Sequence, residues 1–459
     1  MVHFTIADYL HYLDCPLKFE HYYRNGCLDF NVVELDSQCI DLIKDYLNIG
    51  EVIEQEMIVS GEQLKIGWYH QLMLFTSRLE GAVEWAYYNG NGIDLYFVSL
   101  HTFPSVRIKN RITSIVYLCN QLQIPIHCIK VIYFNAKYVF NGKYYQPKLM
   151  FKLSRYLSNS TFDFRLFPKV SVNCQAIDDV LNEMESLLDD GVAKSCALNC
   201  KDQLCCLHAK FEQVKLESFN ERVLENYQSY GLPKQHIPKI QTLAIANNQN
   251  YLDKKALNQW ISQICYPIYF FDFEWERKIL PWIKGQSLFN DYVFQYSFVK
   301  LNKDGSKETK IKIVKENDNT LLFEELISDL LDTGTIFADN ANGAEIMQLK
   351  RYAQWDNSLN EKIYKIVNRI VSIDVPLTHG MLYHLGIKGS YSLKNIAQLI
   401  SFNDYATIEC QSGLDAVKMY RDYLKTGSAL DEQSLIDYCK ADSMAMVALL
   451  KWYQTIACD

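Results

Sequence analysis

CYPIYFFDFEWE, residues 265–276, reads as a strand buried in the middle of a sheet. Its run of aromatic and β-branched residues is nearly continuous, as in strands covered on both faces, and acids interrupt it only at Asp272, Glu274 and Glu276. Side chains two apart on a strand share a face, so Asp272 and Glu274 project together. Two neighbouring carboxylates repel unless a cation lies between them, and hard oxygen ligands at a sheet suit Mg²⁺ or Mn²⁺. The same pair also reads as a strand end whose acids simply reach solvent.

Outward from this strand the pattern is α/β. Further strands are predicted at Tyr292–Leu301, Lys310–Val314 and Thr335–Ala338, with helices alternating afterwards. Near the end, LIDYCKADSMAMVALL (residues 435–450) has helical apolar spacing and stacks Tyr438 and Asp442, four apart, on one face. Alone, such a pair is most often found on a surface. In the other direction, residues 213–260 are polar and read as a helical connector with a turn at Gly231, Leu232 and Pro233. Before it, strands at Ile93–Leu100 and Cys128–Phe134 flank a helix at Ile112–Leu122. The stretch after Gln146 reads as helical through Leu187, and cysteines between Cys196 and Cys206 mark a domain end. The expectation is an α/β protein of two domains, 1–212 and 261–459, joined by the connector.

Composition agrees with a folded chain. Of 459 residues, 49% are apolar, with 31 Tyr and 23 Phe against 19 Gly and 10 Pro. A formal charge of −8 argues against an evenly basic protein that coats nucleic acid, yet metal nucleases spend carboxylates at their sites, so nucleic acid stays open as a partner. The opening residues lack the basic-then-apolar order of a signal peptide, and no window is apolar enough to span a bilayer, so a cytoplasmic protein without a membrane partner is expected. In that compartment the fourteen cysteines are core thiols or ligands rather than disulfides.

Taken jointly, the strand Asp-x-Glu and the late helical Tyr-x-x-x-Asp resemble the first and last motifs of the DEDD exonucleases, ribonuclease H-like enzymes, in the subgroup with tyrosine. The resemblance implies two Mg²⁺ or Mn²⁺ ions held by Asp272, Glu274 and Asp442, with Tyr438 orienting the attacking water. It also implies removal of nucleotides from the 3′ ends of single-stranded DNA or RNA. FFDFEWE, VFQYSF (293–298), SIDVPL around Asp374, GSYSLKNI from Gly389 and YCKADSMAM from Tyr438 are further similar to a bacterial family of the DUF2779 type. In that family a front half like RecB-type and CRISPR-associated PD-(D/E)XK nucleases precedes the DEDD-like half. Asp374 would there lie on a strand, and Ser390, Ser392 and Lys394 would precede a helix facing the site, with Lys394 on substrate phosphate. GSYSLK also reads as an ordinary turn and helix start. The second DEDD motif departs from the pattern: an acid should stand four residues after Asn340, where this chain has Ala344. Glu345, one residue later, is the expected metal ligand, with Asp339 the next choice; the remaining alternative is a site short of one ligand.

The front half resembles a PD-(D/E)XK domain through TIADYLHYLDCPLKF (5–19), EGAVEW (80–85), IDLYFVS (93–99) and VIYFNAKYVFNGKY (131–144). Glu84 stands where the first metal-binding acid belongs, but Phe97 and Ser99 occupy the Glu-x-Lys positions, and the helix near Ile112–Tyr117 lacks the family's glutamine. The resemblance therefore implies a catalytically inactive domain. Relatives close it with an iron–sulfur cluster. Cys15, before Pro16, matches one ligand and Cys200 and Cys206 two others, while Glu212 takes the place of the last. Cys196, Cys205 or His208 would complete a 4Fe-4S cluster or a Zn²⁺ site; otherwise these are core thiols. The alternatives to an exonuclease are a catalytically decayed nucleic-acid-binding protein and a subunit of a repair or defence complex.

Overall fold

In the computed structural model the described residues are 2–25, 35–54, 57–102, 106–156, 174–190, 220–221, 224, 236–315, 319–330, 333–388, 391–410 and 412–458. The chain divides into two compact units, Met1–Gln213 with Ile279–Pro281, and Val214–Lys278 with Trp282–Asp459. Among the described residues no helix is long and apolar enough to cross a membrane.

The first unit is built on strands β1 (Phe4–Thr5), β2 (Gly67–Phe75), β3 (Leu79–Tyr88), β4 (Ile93–Ser99), β5 (Ile126–Phe134) and β6 (Phe151–Tyr156). They form one mixed sheet in the order β1-β3-β4-β5-β6, with β2 on β3. The crossover from β4 to the parallel β5 is the helix Val106–Gln121, whose Ile112, Ile115 and Leu118 share a core with Leu95, Phe97 and Val131. The region after Gln146 differs from expectation, because Phe151–Tyr156 is a strand antiparallel to β5. Its apolar residues Phe151 and Leu153 alternate with polar ones, a period of two rather than 3.6. Cys174–Asp190 is a helix.

In the second unit, β7 (Tyr251–Leu252) pairs with β13 (Leu382–Tyr383), and the main sheet comprises β8 (Ile268–Lys278), β9 (Asn290–Leu301), β10 (Lys307–Ile313), β11 (Thr335–Ala338) and β12 (Ile370–Ser372). Its order is β10-β9-β8-β11-β12, so β8, which carries Asp272 and Glu274, is central. β8 is antiparallel to β9 and parallel to β11. The helices His236–Ala246 and Lys254–Ile261, within the stretch read as a connector, are integral to this unit. Their Ile240, Ala244, Leu257 and Trp260 are buried in its core beside Ile268 and Phe270. Asp374 is not on a strand. β12 ends at Ser372, and Asp374 (φ −80°, ψ 0°) stands at the N-cap position of the short helix Val375–Thr378 without a side-chain capping bond, and Pro376 occupies a first-turn position that needs no amide donor.

Candidate metal centre

The site begins with the alternation of β8. Ile268 and Phe270 face the core that holds Met446, Leu449 and Leu450 of the last helix, Ala429–Cys458, and the next two residues of the same parity are Asp272 and Glu274. One step of two residues along a strand covers about 6.6 Å, and four residues along a helix cover about 6 Å. Phe270 and Met446 share one core, and one step further along each element stand Asp272 and Asp442, whose carboxylates come together. Hydrogen bonds lock this register. Asp272 pairs with Ser297 and Glu274 with Gln295 across the β8–β9 ladder. Ser297 Oγ donates to the Cys439 carbonyl (2.8 Å) and lies 2.6 Å from Ser443 Oγ, while Gln295 Nε2 donates to the Leu435 carbonyl (2.9 Å).

The result is that Asp272, Glu274 and Asp442 each offer a carboxylate oxygen within 4.8 Å of the others. Glu274 is buried and the other two are partly exposed. Burial, followed by repulsion from Asp442 and Glu345, holds Asp272 and Glu274 well above the usual carboxylate range. Asp442 is also raised by burial, offset by hydrogen bonds from Tyr405 and Tyr438 and by the Lys394 ammonium. Such a cluster favours protons or a cation over three bare charges, and its all-oxygen donor set fits Mg²⁺ or Mn²⁺.

Tyr438 lies one turn before Asp442, and Lys394 Nζ donates to its hydroxyl at 3.4 Å while standing 4.7 Å from its ring centre. Lys394 is in the first turn of the helix Leu393–Leu399, capped by the Ser392 hydroxyl on the Asn395 amide; Ser390 lies outside the described residues. Cys439, fully buried, donates its thiol to Asp272 Oδ2 at 3.4 Å. Sequence reasoning missed this thiol, and it missed Tyr405, whose hydroxyl donates to Asp442 Oδ1 at 2.5 Å.

Glu345 stands beside the three-carboxylate group rather than in it. It opens the helix Glu345–Trp355 and is 2% exposed, and its carboxyl accepts from its own backbone amide and that of Phe273. Its Oε2 has no hydrogen-bond partner, and burial pushes its pKa up to about 8. Asp339 follows β11 as Asp272 follows the paired residues of β8, each two residues beyond the last partners, Phe337 and Phe270. Burial and the charges of Asp374 and Asp442 push its carboxyl up to about 7.

In the first unit, Glu84 is buried and ion-paired with Arg111, which also donates to the Ala82 carbonyl (3.1 Å). Phe97 and Ser99 are buried on β4. A guanidinium thus occupies the charge partnership that a metal would otherwise take at Glu84. Cys15 is buried, while Cys196, Cys200, Cys205, Cys206 and His208 lie outside the described residues.

Residues 269–392 match a family model described as a domain of unknown function, DUF2779. That span contains Asp272, Glu274, Asp339 and Glu345 and stops before Lys394, Tyr405, Tyr438 and Asp442. No curated protein and no solved structure matches the chain.

Proposed function

We propose that the second unit is a metal-dependent 3′-to-5′ exonuclease acting on single-stranded DNA or RNA. The observation that carries this reading is the convergence of Asp272 and Glu274 from a central strand with Asp442 from a helix 170 residues later, their oxygens within 4.8 Å. This is the geometry that the DEDD resemblance requires of its first and last motifs. Two Mg²⁺ or Mn²⁺ ions, when bound, supply the charge that makes water nucleophilic and offsets the attacking and leaving oxygens of a phosphodiester.

The chain's own residues divide the remaining work. Asp272, Glu274 and Asp442 would hold the ions, with the unpartnered Glu345 Oε2 available as a further carboxylate oxygen whose charge is felt at Asp272 and Glu274. Tyr438 orients the attacking water. Lys394, already drawn to the Tyr438 hydroxyl, supplies a cation for substrate phosphate. Purified protein incubated with strands labelled at the 5′ or the 3′ end should shorten them from the 3′ end with Mg²⁺ or Mn²⁺ and leave them intact with chelator.

One observation favours a second reading. With Ala344 at the expected acidic position and Glu345 outside the carboxylate group, the site is one ligand short of the DEDD pattern. A catalytically decayed nucleic-acid-binding protein, or a subunit of a repair or defence complex, would bind the labelled strands without shortening them under any metal.

A further inference from the structure

We infer that Tyr405 is a positioning residue for Asp442, fixing that carboxylate in the orientation in which it meets a divalent ion. The inference rests on the metal-site reading above and is independent of the reaction that the site performs. Two phenols reach the one carboxylate, and they differ in what they brace. Tyr438 lies on the same helix as Asp442, one turn earlier, so its hold travels with that helix. Tyr405 comes from a separate element, the single turn Asp404–Thr407, and its hydroxyl closes on Asp442 Oδ1 at 2.5 Å. It is therefore a cross-brace between the last helix and the segment that follows the helix Leu393–Leu399.

The Tyr405 ring is itself held. Phe402 packs edge-on to it with centroids 5.8 Å apart and planes at 77°, and Lys394 Nζ lies 5.4 Å from its centre. A phenol suits this place because it donates to a carboxylate without adding another negative charge to a site that already crowds three. Held at Oδ1, the carboxylate has less rotational freedom to lose when it takes up an ion, so the side chain is preorganised. No sequence periodicity links residues 405 and 442, which is why the pairing is visible only in the fold.

The test is Mn²⁺ affinity of the full chain, stripped with chelator, titrated calorimetrically without substrate. Tyr405→Phe keeps the ring and removes only the hydroxyl. Its Mn²⁺ Kd should weaken roughly tenfold, the scale of one charge-assisted hydrogen bond, while its melting temperature in chelator stays within about 3 °C of the parent. In cleavage assays the Mn²⁺ concentration for half-maximal rate should rise in step, with the rate at saturating Mn²⁺ little changed. A Kd within twofold of the parent overturns the inference. So does a weakened Kd accompanied by a comparable fall in melting temperature in chelator, which would mark Tyr405 as a support of the fold. Parent protein that binds Mn²⁺, with the Tyr405→Phe loss, yet cuts no strand would overturn the exonuclease reading alone. Parent protein that binds no Mn²⁺ would overturn both.

Discussion

Asp272 differs from its same-face neighbour Phe270 by two positions on one strand, yet Phe270 is core and Asp272 belongs to a cluster of three carboxylates. Asp272→Asn should leave the fold intact and reduce metal-dependent hydrolysis roughly 100-fold or more, since a neutral amide cannot offset a divalent ion and the interaction is worth several kcal/mol. A variant with parental rates in the labelled-strand assay would remove Asp272 from the site. The displaced second motif gives a sharper contrast. Glu345→Gln should abolish hydrolysis and Asp339→Asn should change it little, with Mn²⁺ supporting the parent better than Mg²⁺ because Mg²⁺ demands near-ideal octahedral geometry. The reverse order of the two variants would assign the ligand to Asp339. At this scale the pairing of Asp272 with Glu274 on a strand and of Tyr438 with Asp442 on a helix was legible because each pair is local, two apart on a strand or four apart on a helix. Tyr405 and Cys439 were not, because a hydroxyl or thiol becomes a partner only when distant segments meet.

Helix Glu345–Trp355 owes its placement to a buried acid on a neighbouring strand. Asp291, 4% exposed, accepts from Arg277 across the β8–β9 ladder (2.9 Å), from Gln348 (3.2 Å) and from Arg351, the last two on the helix that Glu345 opens. Asp291→Ala should destabilise the protein by about 2 kcal/mol, the scale of hydrogen bonds to a charged group. The two arginines it leaves are partly exposed and can rehydrate. If Glu345 serves the site, the same variant should also weaken Mn²⁺ affinity, measured by the same titration, even though residue 291 is not a ligand. Elements were legible in the sequence where one period ran long enough. The strands at Tyr292–Leu301 and Thr335–Ala338 were found to within two residues. Where a segment was short, or its apolar face was matched only by residues distant in sequence, the reading failed. FKLSRY was absorbed into a helix, and the helices of residues 236–261 passed for a connector because their apolar faces have meaning only against Ile268 and Phe270.

At the scale of the whole molecule, crowded carboxylates should make stability depend on pH in an unusual direction. Burial pushes the carboxyls of Asp339 and Glu345 up to about 7 and about 8, above the ordinary carboxylate values of an unfolded chain. The folded state therefore binds more protons, and stability is greatest at the acid end and lost as pH rises through those values. Calorimetry in chelator should show the melting temperature falling from the ordinary carboxylate range up to about pH 8, and Mn²⁺ should flatten the fall by replacing the protons. A melting temperature that rises steadily over that window would contradict the burial of these acids. Glu84→Gln should leave hydrolysis within twofold, because Glu84 is committed to Arg111 in the first unit, and should lower that unit's stability. The long separation of Asp272 and Asp442 also sets an order of events during synthesis. At 5 to 20 residues per second, 170 residues take roughly 10 to 30 s, so a ribosome displays the first two carboxylates well before the helix that completes their group exists. For that interval the growing chain has no assembled carboxylate cluster, and any activity that depends on one stays silent beside the message being read.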